Sequence, residues 1–217
     1  MSRLGRLFGK FRQAPHPESG EPAAEQPQIR WVIVGLGNPG EQYARSRHNL
    51  GFMTARRLAA RHSIELDRRK WGGLCGEIRG EDATAIVVTP QTYYNRSGDC
   101  ASAILGYYKV PPDRLIVIHD EMDLPEGQIR LKRGGGDAGN RGVRSIAEAL
   151  ATPEFIRLRI GVAHPCGDRE SVEYLLKPLS AEQMRGFEPV CDRAADAALS
   201  IMRDGLDRAR NLFNQRV

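Results

Sequence analysis

Two residues, His48 and Asp120, have the types and positions that proton-transfer chemistry needs. His48 follows a glycine-rich turn, GLGNPG, that leaves a strand-like run, and Asp120 is the first acid beyond a second such run, RLIVIH. An imidazole takes up a proton near neutral pH, and a carboxylate can orient it through a hydrogen bond. The two residues therefore predict a general base and its orienter, with Glu121 and Asp123 as competing orienters.

The chemistry expected of this base is the activation of water. No serine or cysteine stands in the strand–turn–helix context typical of a nucleophile elbow. Direct attack by an activated water is thus the predicted route. The alternative is that His48 only forms structural hydrogen bonds.

The turn GLGNPG also matches the GxGxxG pattern of dinucleotide-binding folds, in which backbone amides hold a pyrophosphate. Pro39 removes one of those amide donors, and EQYARSRHN follows where a helix should open. A nicotinamide dinucleotide site is therefore the weaker interpretation. We expect the turn instead to place Asn38 and His48 at the carboxyl edge of a sheet, where α/β proteins keep their sites.

Strand-like and helix-like segments alternate along the chain and must position these residues. The β-branched runs RWVIVGL, TAIVV, RLIVIH and RLRIGVA predict buried strands of one sheet, and DLPEGQIRLK predicts a turn into an extra strand that makes the sheet mixed. Apolar residues at helical spacing predict amphipathic helices at 101–108 and 143–150, and a long helix begins near Ser180. The predicted class is α/β, a single domain with a twisted mixed β-sheet and helices on both faces.

Length and composition limit the class of protein. A chain of 217 residues with 41% hydrophobic content can bury the core of one domain. It has no apolar run of about 18 residues and no signal-like segment, so we expect an intracellular protein without integral membrane association. The irregular spacing of its four cysteines, Cys75, Cys100, Cys166 and Cys191, favours buried thiols over a zinc site or redox pair.

The positive charge is concentrated at the N-terminus. The net charge is +5, but residues 1–14 contain four cations and no acid, which leaves 28 basic against 27 acidic residues in the remainder. A binding site for a polyanion in the body of the chain must therefore be a local patch.

Residues 1–28 are predicted to be a disordered basic N-terminal extension, because the stretch after Pro15 is rich in Pro, Glu, Ala and Gln. The domain then spans 29–217 and begins near Ile29. The apolar residues among the first cations leave a membrane-surface helix or a targeting sequence, including an organellar one, as alternatives to a solvated tail.

Over residues 30–217 the chain resembles the bacterial-type peptidyl-tRNA hydrolases. The resemblance is carried, in order and at matching spacing, by VGLGNPGEQYARSRHNLGF, KWGGLCGEI, PQTYYNRSG, HDEMDLPEGQIRLKRGGG, RLRIGVAHP and GLDRARNLFN. It implies a monomeric cytoplasmic enzyme, without metal or cofactor, that cleaves the ester between a stalled nascent peptide and the 3′ ribose of tRNA. A non-catalytic RNA- or tRNA-binding adaptor on the same fold is the alternative.

The resemblance also implies roles for four residues near the reacting ester. His48 matches the general base that draws a proton from water, and Asp120 matches the carboxylate that holds its tautomer. Asn38 and Asn95 match amides that grip the peptide backbone. An amide suits that role because it offers both a donor and an acceptor.

Four further matches concern the tRNA. Tyr43 and Tyr93 match positions that line the pocket for the terminal nucleotide and the aminoacyl group, where an aromatic face can stack on a base. Lys132 and Arg159 match cations that clamp the 5′ phosphate of the tRNA. Ordinary packing for the tyrosines, and a solvated surface pair for the cations, are the alternatives.

The chain departs from the family pattern at three positions. A His-Asn pair is expected after the GGG, but Asn140 and Arg141 stand there, and Tyr94 replaces the usual methionine. In one alternative, Arg141 cannot make the contact of the expected asparagine, and that contact is lost. In the other, the Arg141 guanidinium stabilises the oxyanion or reaches a tRNA phosphate, and Asn140 supplies the amide if the preceding turn is re-aimed. Asp137 either holds such a turn or pairs with Arg141.

Overall fold

The β-branched runs form one sheet in the computed structural model, which describes residues 30–80, 84–165 and 171–215. The strands in those ranges are β1 (Trp31–Gly35), β2 (Arg68–Lys70), β3 (Gly73–Arg79), β4 (Thr84–Pro90), β5 (Leu115–Glu121), β6 (Ile129–Arg133) and β7 (Ile156–Gly161). The helices there are α1 (Leu50–Arg61), α2 (Ser97–Tyr108), α3 (Arg141–Leu150), α4 (Ser171–Leu176), α5 (Ala181–Asp204) and α6 (Leu206–Phe213). Short 3-10 turns at Arg47–Asn49 and Tyr94–Arg96 lead into α1 and α2.

The sheet is mixed, with the strand order β2-β3-β4-β1-β5-β7-β6. The four strands β4, β1, β5 and β7 run parallel, and β3, β2 and β6 each run antiparallel to the neighbour next to them. This confirms the predicted class, and β6 is the extra strand expected from DLPEGQIRLK. The sequence does not predict the β2–β3 hairpin, because β2 is a short, exposed run of charges and β3 contains Gly73 and Gly76.

Helices cover both faces of the sheet. On one face α1, α5 and α6 pack over a core that includes Ile33 and Ile118, and on the other α2 and α3 pack over Val32 and Val34. Successive strand residues point to opposite faces, which is why neighbours in β1 belong to different cores. The apolar residues of α2 and α3 that face this second core are Ala101, Ile104, Leu105, Val143 and Ile146.

The long helix α5 begins where the sequence predicts it. Ser180 Oγ accepts from the backbone N–H of Gln183 (3.2 Å), and Gln183 Oε1 accepts from the backbone N–H of Ser180 (3.0 Å), which forms a capping box. Although α5 has 24 residues, no helix in the described ranges is both long and apolar enough to cross a membrane.

The carboxyl ends of β1, β4 and β5 meet at one edge of the sheet because these strands are parallel. The start of α1 packs directly on this edge: Leu36 N donates to Ile118 O (2.9 Å), and Phe52 N donates to Leu36 O (3.1 Å). Glycine is required at Gly51, where an added Cβ would lie 2.3 Å from Ile118 O. The contact sets the height of His48, in the turn before α1, above the strand ends.

Some of the predictions concern residues outside the described ranges. These are the basic extension 1–28, with the domain boundary near Ile29, and Cys166. The other three cysteines, Cys75, Cys100 and Cys191, are free buried thiols, as the sequence predicts.

Candidate active site

His48 and Asp120 lie in hydrogen-bonding contact at the carboxyl edge of the sheet. Nδ1 of His48 is 3.0 Å and 3.1 Å from the two carboxylate oxygens of Asp120. The Asp120 side chain is 3% exposed and that of His48 is 15% exposed. The competing acids have other partners, because Glu121 faces Arg159 (3.6 Å) and Asp123 faces His164 (2.9 Å).

The protonation state of Asp120 suits it to hold an imidazole. Burial alone would raise the pKa of Asp120, but the charge and hydrogen bond of His48 and the hydrogen bond from Tyr94 hold that pKa below its usual value. The carboxylate is therefore ionised at neutral pH and accepts from Nδ1–H of His48. In a neutral imidazole oriented in this way, the other ring nitrogen, Nε2, carries no proton and can accept one.

Tyr94 contacts both members of the pair, a role that the sequence analysis does not predict. Its ring stacks on the His48 imidazole, with centroids 3.6 Å apart and planes 12° apart. Its hydroxyl donates to Asp120 Oδ1 (2.9 Å) and accepts from Asn140 Nδ2 (3.0 Å). Burial, followed by the Asp120 charge, raises the pKa of Tyr94 well above its usual value, so the hydroxyl stays a donor.

Asn38 is tied to the site through its backbone and its side-chain oxygen. Its backbone N–H donates to Asn49 Oδ1 (2.8 Å), and its backbone carbonyl accepts from Asn49 Nδ2 (2.9 Å). Its Oδ1 accepts from the backbone N–H of Tyr94 (3.0 Å). Asn49, which the sequence analysis does not single out beyond its place beside His48, therefore closes the glycine-rich turn onto the 3-10 turn. The Asn38 amide nitrogen is left as a donor for the cleft.

A cleft of about 310 Å³ opens over His48. Eight of the ten residues proposed from the sequence line it, namely Asn38, Tyr43, His48, Tyr93, Asn95, Asp120, Asn140 and Arg141. Met122 and the α4 residues Val172, Leu175 and Leu176 add an apolar wall. The cleft therefore combines a base, amide groups and exposed aromatic rings with an apolar surface.

The remaining two residues, Lys132 and Arg159, lie outside this cleft on the neighbouring strands β6 and β7. Arg157 pairs with Lys132 in the sheet register and is almost fully buried, and its guanidinium donates to the carbonyls of Gly136 (2.5 Å) and Gly135 (2.7 Å). Burial and the charges of Arg159 and Arg157 lower the pKa of Lys132. The three cations form a positive patch beside the loop that leads to α3.

The loop before α3 re-aims Asn140. Ala138 and Gly139 have positive φ values of 49° and 76°. Asp137 holds this turn, because its side chain accepts from the N–H of Gly139 (2.8 Å) and its carbonyl accepts from that of Asn140 (2.9 Å). The expected alternative pairing of Asp137 with Arg141 is wrong, since the carboxylate bonds the guanidinium of another arginine, Arg144 (2.9 Å and 3.1 Å).

Asn140 caps α3 with its side-chain oxygen. Oδ1 accepts from the backbone N–H groups of Gly142 (3.1 Å) and Val143 (3.0 Å). Arg141 begins the helix, is exposed and faces the cleft. Both ends of the Asn140 amide are thus bonded within the protein, and its role towards water or substrate stays a prediction.

In the described ranges, no group of three or more His, Cys, Asp or Glu side chains could hold a metal ion.

The chain matches known proteins over nearly all of the described structure. The family model described as peptidyl-tRNA hydrolase matches residues 32–217. A peptidyl-tRNA hydrolase of Thermus thermophilus is 44% identical over 189 residues, which cover 85% of this chain and 96% of that protein. That of Frankia alni is 40% identical over 184 residues, which cover 85% and 93%.

A solved structure agrees with these sequence matches. The crystal structure of peptidyl-tRNA hydrolase from Acinetobacter baumannii aligns with a TM-score of 0.79 at 34% identity, over 86% of this chain and 95% of that chain. Sequence and fold thus lead to one conclusion: the chain belongs to the peptidyl-tRNA hydrolase family.

Proposed function

We propose that this protein hydrolyses the ester bond between a nascent peptide and the 3′ ribose of tRNA, which recycles tRNA from stalled or dropped-off translation products. One observation carries the proposal. His48 Nδ1 is in hydrogen-bonding contact with Asp120, which leaves Nε2 available as a base at a cleft of about 310 Å³.

The proposed reaction begins with proton transfer from water to Nε2 of His48. The resulting hydroxide attacks the ester carbonyl carbon and forms a tetrahedral oxyanion. When the intermediate collapses, the bond from that carbon to the ribose 3′ oxygen breaks, and the proton on Nε2 passes to this oxygen. The products are a free peptide carboxyl and a tRNA with a 3′ hydroxyl, and Asp120 stabilises the imidazolium between the two transfers.

Polar groups around the cleft are suited to the peptide and the terminal nucleotide. We assign Asn38 and Asn95 to the peptide backbone, for which Asn38 has a donor available. Tyr93 is 69% exposed, so one face of its ring is available to a base or an aminoacyl side chain, and Tyr43 lies across the same cleft. The apolar wall from α4 suits side chains of the peptide.

Charged groups at and near the cleft are suited to bind the tRNA part of the substrate. We assign Lys132 and Arg159 to a phosphate of the tRNA, supported by the positive patch that they form with the buried Arg157. Arg141 presents a guanidinium at the cleft. We assign it to the developing oxyanion, because a cation at that place stabilises charge that forms only in the transition state.

The decisive experiment is the release of N-acetyl-aminoacyl groups from tRNA by the purified protein. The parent should release them, and His48→Ala should lower turnover by roughly 10²–10⁴-fold with little change in tRNA affinity. If the parent binds tRNA and releases nothing, the adaptor alternative is correct. If His48→Ala retains the parent turnover, another group is the base.

We also propose that the protein acts as a monomer in the cytoplasm. Both proposals follow from the resemblance to the family. Sedimentation of the purified protein tests the first, and fractionation of cells that express the full chain tests the second.

A further inference from the structure

The start of α3 sets the direction of the hydrogen bonds around Tyr94. Because Asn140 Oδ1 accepts from two backbone N–H groups of the helix, the NH₂ end of its amide must point away from α3. That end lies 3.0 Å from the Tyr94 hydroxyl oxygen. An amide nitrogen can only donate, so the hydroxyl oxygen is the acceptor of this bond.

The Tyr94 hydroxyl passes this direction on to Asp120. With its oxygen accepting from Asn140, its hydrogen is available for Asp120 Oδ1, 2.9 Å away. An ionised carboxylate can only accept, so the hydroxyl of Tyr94 and Nδ1–H of His48 both donate to it. The proton of a neutral His48 is thereby placed on Nδ1, which keeps Nε2 unprotonated.

The ring of Tyr94 restrains the plane of the imidazole. The two rings are 3.6 Å apart and inclined by 12°, so rotation of the imidazole would break the stack. Tyr94 is itself held, since it is 4% exposed and its backbone N–H donates to Asn38 Oδ1 (3.0 Å). The ring of Tyr94 therefore restrains the plane of the imidazole, and its hydroxyl helps to set the tautomer.

We propose that Tyr94 is a positioning residue for His48 and that Asn140 acts through it. The N-terminus of α3 orients the Asn140 amide, the amide orients the Tyr94 hydroxyl, and Tyr94 holds Asp120 and His48 in the tautomer and plane that activate water. The inference rests on the proposed role of His48 as the base. It gives Asn140 a task away from the substrate, and it explains how a chain with Tyr94 and Asn140 at these positions keeps an oriented base.

The alternative is that Tyr94 only fills space. Packing needs the ring but not the hydroxyl, so Tyr94→Phe separates the two possibilities. Asn140→Ser is the matching change on the other side, because serine still caps the helix but has no amide arm for Tyr94. Tyr107→Phe is the control for loss of a tyrosine hydroxyl, since Tyr107 is 62% exposed and lies outside the cleft.

The test measures release of N-acetyl-aminoacyl groups by the full chain. Tyr94→Phe should lower kcat by about 10-fold, the equivalent of one hydrogen bond, with KM for the tRNA substrate changed less than about twofold. Asn140→Ser should lower kcat by no more than this. The double variant should match Tyr94→Phe alone, because both changes break one chain of bonds. Tyr107→Phe should match the parent.

Two kinetic outcomes would overturn the inference. One is a Tyr94→Phe enzyme with the parent kcat, and the other is a double variant whose loss is the product of the two single losses. If the parent and Tyr94→Phe are equally active while His48→Ala is inactive, only this inference fails. If the parent itself releases nothing, the proposed function fails and the inference with it.

A measurement on the unmodified protein guards against variants that fold poorly. Nitrogen-15 NMR distinguishes the two tautomers of a neutral histidine. The inference requires that neutral His48 carries its proton on Nδ1. A spectrum showing the proton on Nε2 would overturn it whatever the variants do.

Discussion

Replacing His119 with asparagine should make the protein more resistant to unfolding in mild acid. His119 lies beside Asp120 in β5 and is 2% exposed. Its Nδ1 donates to the backbone carbonyl of Asp120 (2.7 Å), and its Nε2 is buried without a hydrogen-bond partner in the described structure. Burial lowers the pKa of His119 from 6.5 to about 4, which the Asp120 charge only partly opposes. Asparagine can still donate to that carbonyl but does not titrate.

The size of the effect follows from the two protonation states. Between pH 6.5 and about 4 the unfolded chain binds a proton at this histidine and the folded protein does not, so the free energy of unfolding falls as the pH falls. The loss is absent above pH 6.5 and complete below about pH 4. A difference of about 2.5 pH units corresponds to about 3 kcal/mol, at a steepest slope of about 1.4 kcal/mol per unit.

Urea unfolding at several pH values between 7.5 and 4 measures this term. The difference in free energy of unfolding between parent and His119→Asn should change by about 3 kcal/mol across that range, with the variant losing less. His62→Asn, at an exposed histidine after α1, controls for removal of a histidine. Parallel curves for parent and His119→Asn would show that His119 is not held neutral by burial, and the reasoning would fail.

Three further predictions concern the site, its support and the N-terminus. Arg141→Ala should lower turnover in the release assay, and Asn140→Ala should lower it at least as much. Asn140→Ala should also lower the free energy of unfolding by about 1 kcal/mol, measured from melting curves, because the helix cap is lost. Parent-like turnover in both variants would contradict the roles given to these two residues. Gly51→Ala should lower the free energy of unfolding by about 1–3 kcal/mol, whereas Gly106→Ala, where an added Cβ meets nothing within 4 Å, should not. Deleting residues 1–28 should leave the melting temperature unchanged but alter salt-dependent binding to tRNA or anionic vesicles; collapse of the fold would show that the segment packs.

The proximity of His48 and Asp120 could be predicted because it follows from topology. Two parallel strands bring their carboxyl ends to the same edge, so Asp120, near the end of β5, lies close to His48, in the turn that connects β1 to α1. β6 was predicted separately, from the turn in DLPEGQIRLK that leads into an extra strand. The hairpin of β2 and β3 was not predicted, because Arg68, Arg69 and Lys70 show no apolar alternation.

The roles of Tyr94 and Arg157 could not be predicted from the sequence, because they depend on side-chain directions. The Tyr94 hydroxyl bonds Asp120 of β5, and a turn with positive φ at Gly139 aims Asn140 towards the same hydroxyl. Arg157 lies on the opposite face from Ile156 and Leu158, and its guanidinium is bonded to carbonyls of a loop more than 20 residues away in sequence. Contacts between residues so far apart in sequence produce no periodic signal that a sequence pattern could detect.

The contact of α1 with the sheet has a consequence for how activity is lost. The amide of Phe52, in α1, donates to Leu36 O, and the amide of Leu36 donates to Ile118 O of β5. The two amides can exchange with solvent only if the turn and the start of α1 separate from the strands. Since that separation would expose the core that contains Ile33 and Ile118, it requires unfolding of the whole domain. We therefore expect these two amides to exchange as slowly as any in the protein. We also expect thermal inactivation to proceed at the rate of global unfolding, without an earlier phase in which His48 separates from Asp120.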